Sequence, residues 1–82
     1  MDVFEEYAGK IKTNKPSMDK DQGEKIYGLF KQAKEGDCNI ADPGDGDALA
    51  KQKFTAWTAQ GGKSKEDAAA EYVELAKTLL GE

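Results

Sequence analysis

The strongest constraint on this chain is the spacing of its last apolar residues: Ala68, Tyr72, Leu75, Ala76 and Leu79 recur at steps of three and four. That rhythm matches the turn of an α-helix and places all five on one face. Three earlier segments repeat it. Between Asp2 and Lys12, the residues Val3, Phe4, Tyr7, Ala8 and Ile11 share a side, and Asp2 followed by Glu5 is an acceptable helix start. Between Asp19 and Glu35, Ile26, Leu29, Phe30 and Ala33 form the stripe, with Gly36 suited to a left-handed C-terminal cap. Between Asp47 and Gly61-Gly62 the stripe is Ala50, Phe54 and Trp57, and Ser64-Lys65-Glu66-Asp67 then opens the last helix with a near capping box. No segment alternates as a strand would. The expected class is all-α.

The connectors between these patterns are well marked. Pro16 disfavours helical backbone at Lys15, which makes Thr13 to Ser17 a link between the first two helices. Residues 36 to 46 hold three glycines and Pro43, and therefore form a loop with a Pro43-Gly44 turn. The acidic residues of that loop invite a calcium reading. No register puts Asp or Asn at loop positions 1, 3 and 5 with Gly at 6 and Glu at 12, so calcium is set aside.

Eighty-two residues are enough for one domain, expected to span 1–82. The formal net charge is −4 and all 12 cations are lysines. Nucleic-acid binding usually needs a basic domain, so this balance points away from it. A local basic site for a phosphorylated small molecule is compatible with the same total. With no histidine, the usual acid–base catalyst and the commonest metal ligand are both missing. Cys38 is the only cysteine. No apolar stretch approaches the ~20 residues of a membrane span, and no signal-peptide core is expected at the start. These features fit a reducing, cytoplasmic setting without stable membrane insertion.

Several residues could carry chemistry. The ~100° step of a helix sets Tyr27, Lys31 and Lys34 side by side, with Phe30 between them and the apolar stripe. An aromatic ring one turn from a lysine can stack on a base while the ammonium meets a phosphate. The same spacing also describes a boundary tyrosine and a solvated lysine. Lys53 lies beside the Leu49, Ala50 and Trp57 surface, and Lys12 sits at the edge of the first stripe. Tyr72 falls mid-stripe, as a core tyrosine would.

Taken in order, the segments Tyr27-Gly28-Leu29-Phe30-Lys31-Gln32-Ala33, Gly36-Asp37, Pro43-Gly44 and Asp47 resemble the acyl-CoA-binding protein family. The match continues through Lys51-Gln52-Lys53-Phe54-Thr55-Ala56-Trp57 and Gly62-Lys63-Ser64-Lys65-Glu66-Asp67-Ala68 to Tyr72. Phe4, Ile11-Lys12 and Lys15-Pro16 follow the pattern more loosely. The resemblance implies a four-helix, up-down-down-up bundle and a shallow bowl for a fatty acyl-CoA. Tyr27, Phe30 and Lys31 would take the adenine and the ribose 3′-phosphate, Lys53 would add a second cation, and Tyr72 and Lys12 would contact the ligand. Gly28, Leu29 and the position of Leu49 would line the site. Gly23 and Glu24 stand where apolar residues often line the family's acyl channel, so the resemblance describes the head-group end more fully than the tail.

The expected activity is reversible binding of medium- to long-chain acyl-CoA by a monomeric, non-catalytic intracellular carrier. It requires no cofactor and no metal. Transient contacts with acyl-CoA-using enzymes or membranes are compatible with it. An esterase would need a nucleophile–base pair, whereas Ser64 is explained as a cap and Cys38 has no histidine to activate it. The alternative is a helical protein-interaction module using Tyr27, Phe30 and Leu49 as an exposed patch.

Overall fold

The computed structural model describes residues 3–82. They form four helices: α1 (Val3–Asn14), α2 (Lys20–Glu35), α3 (Ala48–Thr58) and α4 (Lys65–Leu80). The expected helix start at Asp2 lies outside the described residues.

Side-chain chemistry sets most of the helix ends. Asp19 caps α2 by accepting from the Gln22 N–H at 2.8 Å, while the Gln22 side chain accepts from the Asp19 N–H at 3.1 Å. This is a complete capping box, with Gln in the reciprocal place. Asp47 caps α3 through the N–H groups of Leu49 and Ala50, and Ser64 caps α4 through that of Asp67. At the start of α4 only the Ser64 half of the expected box forms.

Four expectations need correction. The first helix runs two residues past Lys12, and Lys15 then leaves helical backbone with φ 46°. Pro16 excludes ordinary helical geometry at Lys15, and the Lys15 N–H still bonds the Ile11 carbonyl at 2.9 Å. Gly36 has a positive φ of 83°, but its ψ of −152° lies outside the left-handed helical region. The third helix stops at Thr58, short of Gly61, because Gln60 and Gly61 bond back three residues and tighten the chain into turns. Val3, placed on the first stripe, is 55% exposed at the very start of α1.

The helix directions follow from which residues meet. Phe4 packs edge-on to Tyr72, with ring centroids 5.0 Å apart, while Tyr7 and Lys10 further along α1 reach Glu82 beyond α4. So α1 and α4 run parallel. Gln32 near the end of α2 bonds the Lys63 carbonyl just before α4, whereas Lys25 shares a groove with Glu74 and Thr78. That makes α2 and α4 antiparallel. Lys20 and Glu24 lie across a cleft from Leu49 and Lys53, and Gly28 further along meets Ala56. So α2 and α3 run parallel, and the order along the chain is up-down-down-up.

The core joins α1, α2 and α4 through Phe4, Tyr7, Ile11, Ile26, Leu29, Ala68, Tyr72 and Ala76. Fully burying a side chain such as Leu29 contributes about 1.5–3 kcal/mol. No helix among the described residues is long and apolar enough to cross a membrane.

Gly28 and Gly23 occupy opposite situations on α2. A Cβ on Gly28 would lie 2.2 Å from the Ala56 carbonyl oxygen, while one on Gly23 would meet nothing within 4 Å. Gly28→Ala is expected to destabilise the fold by about 1–3 kcal/mol through overpacking of the α2–α3 crossing. Gly23→Ala, which only gains helix propensity, is expected to stabilise it by about 0.5–1 kcal/mol. Urea unfolding of the two variants checks both signs.

Candidate functional site

The crossing at Gly28 opens toward the N-terminal halves of α2 and α3 into a cleft of about 280 Å³. Its walls are Lys20, Gly23, Glu24 and Tyr27 from α2, with Leu49, Gln52, Lys53 and Ala56 from α3. The lining is mainly apolar, and the charges of Lys20, Glu24 and Lys53 lie among it. Leu49 is 60% exposed, so α3 presents a large aliphatic side chain to solvent at this cleft.

Of the residues expected at a site, Tyr27, Leu49 and Lys53 meet here. The Lys53 ammonium lies 5.8 Å from the centre of the Tyr27 ring, which pairs one cation with one aromatic face across the cleft. Gly28 marks the closed end and acts through the absence of a side chain. Lys31 continues the Tyr27 edge by one turn. Its ammonium sits 4.8 Å from the Trp57 ring centre and pairs with Glu35. The Glu35 contact holds the Lys31 pKa above the ordinary lysine value, outweighing the opposing effect of burial.

Other expected residues lie elsewhere. Leu29 is completely buried in the core. Tyr72 is 3% exposed, within ring-contact distance of Phe4 and Phe30, and burial pushes its phenol pKa up. Phe30 faces this aromatic group and Lys34, whose ammonium bonds Glu5 of α1 at 2.8 Å. Lys31 and Lys34, expected side by side, thus reach to opposite flanks of α2: one toward α3, the other toward α1. Lys12 is exposed on α1, a helix packed on α4 and not part of the cleft wall.

Sequence reasoning missed the residues that fasten the closed end. Gln32 is fully buried, and its amide donates to Asp37 Oδ1 at 2.9 Å and to the Lys63 carbonyl at 2.7 Å. Two acceptors at these distances fix the amide's orientation, leaving Gln32 Oε1 buried without a partner. Asp37 Oδ1 also accepts the Gly62 N–H at 2.9 Å, and Trp57 Nε1 donates to the Gly36 carbonyl at 2.8 Å. Together these bonds tie the end of α2, the following loop, α3 and the turn before α4 into one unit. A polar residue on the inner side of Phe30-Lys31 was the available signal.

The loop also consumes a cation. Lys51 bonds both oxygens of Asp42 at 2.8 and 2.7 Å, and Asp42 Oδ1 accepts the Gly44 N–H at 2.8 Å across the Pro43-Gly44 turn. Among the described residues no group of three or more His, Cys, Asp or Glu side chains is placed to hold a metal ion.

Comparison with known proteins matches residues 1–76 to the family model described as acyl-CoA-binding protein. An acyl-CoA-binding protein of Dictyostelium discoideum is 49% identical over 81 residues, covering 96% of this chain and 94% of that one. The crystal structure of Oryza sativa acyl-CoA-binding protein 2 superposes with a TM-score of 0.89 at 38% identity, covering 96% of this chain and 88% of that one. The crystal structure of the ACBP from Moniliophthora perniciosa also gives a TM-score of 0.89, at 32% identity, with 99% of this chain and 82% of that one covered.

Hydrogen bonds from Gly62, then Gln32, hold the Asp37 carboxyl below the usual aspartate range. Asp42 is lowered by Lys51 and Gly44, and Glu82 by Tyr7 and Lys10. Where the folded pKa lies below the unfolded one, the unfolded chain binds more protons, so stability rises with pH through that window. Stability is therefore expected to be level between about pH 5 and 7 and to fall as pH drops through about 4 and below. Asp37→Asn should lower stability at pH 7 and flatten part of that acid loss. Urea titrations between pH 3 and 7 measure both.

Proposed function

The chain belongs to the acyl-CoA-binding protein family, and from its cleft chemistry we propose that it binds fatty acyl-CoA esters reversibly as a carrier and pool former. The observation that carries this reading is a mainly apolar cleft lined by Tyr27 and Lys53 and ending at Leu49 and Gly23, with Lys31 one turn beyond Tyr27 over the Trp57 ring.

A CoA ester asks for three things from its binder. Its adenine needs an aromatic face, and stacking on a side chain such as Tyr27 contributes about 1–3 kcal/mol. Its 3′-phosphate needs cations, and a hydrogen bond to a charged group contributes about 1.5–3 kcal/mol. Lys31 and Lys53 flank Tyr27 and fill that role. The acyl tail needs shelter from water, worth about 0.8 kcal/mol for each buried methylene before the cost of ordering the ligand. The apolar wall of Gly23, Leu49 and Ala56 supplies the shelter, and Leu49 becomes covered when a tail lies along it.

Other assigned residues shape or flank the cleft without lining it. Gly28 lets the two walls approach, and Leu29 anchors α2 in the core. Phe30 and Tyr72 form the aromatic flank toward α1, where Phe30 offers a second ring and Tyr72 a phenol to the head group. Lys12 adds a cation from α1. Carriage needs no nucleophile, so the thioester leaves intact. A monomer of residues 1–82 acting in the cytoplasm completes the reading, with the ligand passed to enzymes or membranes by transient contact.

Calorimetry with CoA esters of graded chain length tests the proposal. A long-chain ester is expected to bind with micromolar or tighter affinity, about 8 kcal/mol or more. Lys31→Ala and Lys53→Ala should each weaken it about tenfold or more. Free fatty acid binding as tightly as its CoA ester would overturn the reading. So would lysine variants with unchanged affinity, the outcome expected of a protein-docking patch.

A further inference from the structure

Lys31 is not held ready for an anion. It is paired with the Glu35 carboxylate one turn further along α2, over the Trp57 ring. Lys53 differs, having no carboxylate partner among the described residues and standing near the Tyr27 ring.

As a structural contact the Lys31–Glu35 pair is poorly placed. Glu35 is the last residue of α2, where the negative end of the helix dipole disfavours a carboxylate. Lysine precedes glutamate in the pair, the weaker of the two orientations at this spacing. The two side chains keep 25% and 43% of their exposure, so solvent screens most of the attraction. The pair therefore adds little to folding. Its effect falls instead on a bound anion, since a phosphate reaching Lys31 must displace Glu35 or accept a negative charge beside it.

Resting on the carrier reading above, we propose that Glu35 is a built-in competitor for the ligand's phosphate at Lys31, tempering how much affinity that phosphate adds. A dianionic 3′-phosphate displaces the carboxylate from the ammonium. A ligand without that phosphate leaves the pair closed and gains nothing from Lys31. Glu35 is thus a positioning residue: it acts on the ligand through Lys31 and sets how much of the lysine's attraction appears as affinity.

The test is calorimetry of the whole chain with a long-chain acyl-CoA and with the same ester of CoA lacking the 3′-phosphate. Glu35→Gln is expected to bind the complete ester about two- to fivefold more tightly, the size of an exposed pair's coupling. It should leave the affinity for the phosphate-free ester unchanged. In a Lys31→Ala background the gain should vanish. Glu71→Gln, which removes the same charge from α4, should leave both affinities as they were. Urea midpoints of the glutamate variants confirm that folding is retained. Unchanged or weaker binding by Glu35→Gln would overturn the inference. An equal gain for both esters, or a gain persisting without Lys31, would overturn it too. A wild-type chain that bound no CoA ester would overturn the carrier reading along with it, whereas normal binding without the selective gain would remove only the role of Glu35.

Discussion

The cleft exists because α2 and α3 can touch at one place and not elsewhere. At Gly28 the backbone of α2 comes so near the Ala56 carbonyl that no side chain fits between them. Two parallel helices pinned at this point separate toward their N-terminal ends, and the gap is lined from both sides by residues one turn apart. Tyr27 and Ala56 lie at the narrow end, while Gly23 and Leu49 lie where the walls have parted. The depth of the groove, the reach of Lys53 across it and the exposure of Leu49 all depend on that single backbone approach. The Gln32–Asp37–Gly62 bonds hold the same end from the loop side. Without them the C-terminal end of α2 would be free to tilt about the crossing.

Charge is arranged so that an acidic protein can still present cations locally. Lys34, Lys51, Lys63 and Lys10 each meet a carboxylate on another element, which spends their charge on joining helices and loops. Surface pairs of this kind contribute about 0–1 kcal/mol each, so their value lies more in which cations they remove from circulation than in stability. What remains around the cleft is Lys20 and Lys53, with Lys31 on a short tether to its own helix. A net charge of −4 is therefore compatible with a local surplus of cations at the groove, where Lys20 and Lys53 stand against Glu24 alone among the lining residues.

Much of this was legible in the sequence because it depends on local chemistry. Asp19, Asp47 and Ser64 begin helices through bonds to backbone two or three residues away, and the α4 stripe packs as its period says. What escaped has a common physical origin in contacts between elements. Gln32 looks like a solvated residue until Asp37 and the Lys63 carbonyl come to surround it. Lys31 and Lys34 are neighbours on a helical wheel, yet Trp57 draws one and Glu5 the other. Val3 has the right period but no turn before it among the described residues to cover it. Gly36 needs positive φ, as its position suggested, but its ψ follows from the Trp57 bond to its carbonyl and the path of the loop.

The same division explains why the two ends of the site differ in how firmly residues define them. In the proposed reading a head group is recognised by atoms with direction: an aromatic face at Tyr27, ammonium groups at Lys31 and Lys53. A tail is recognised by space, and the space here is bounded on α2 by Gly23, which has no side chain, and by Glu24, which brings charge into an apolar wall. The apolar surface on that stretch must therefore come mainly from α3, through Leu49 and Ala56. A tail lying in the groove is sheltered on the α3 side and left more open beside Gly23. Burial per methylene then falls below its full value along that edge. Affinity should lean on the phosphates and the ring, with the acyl chain adding to a complex that the head group orients.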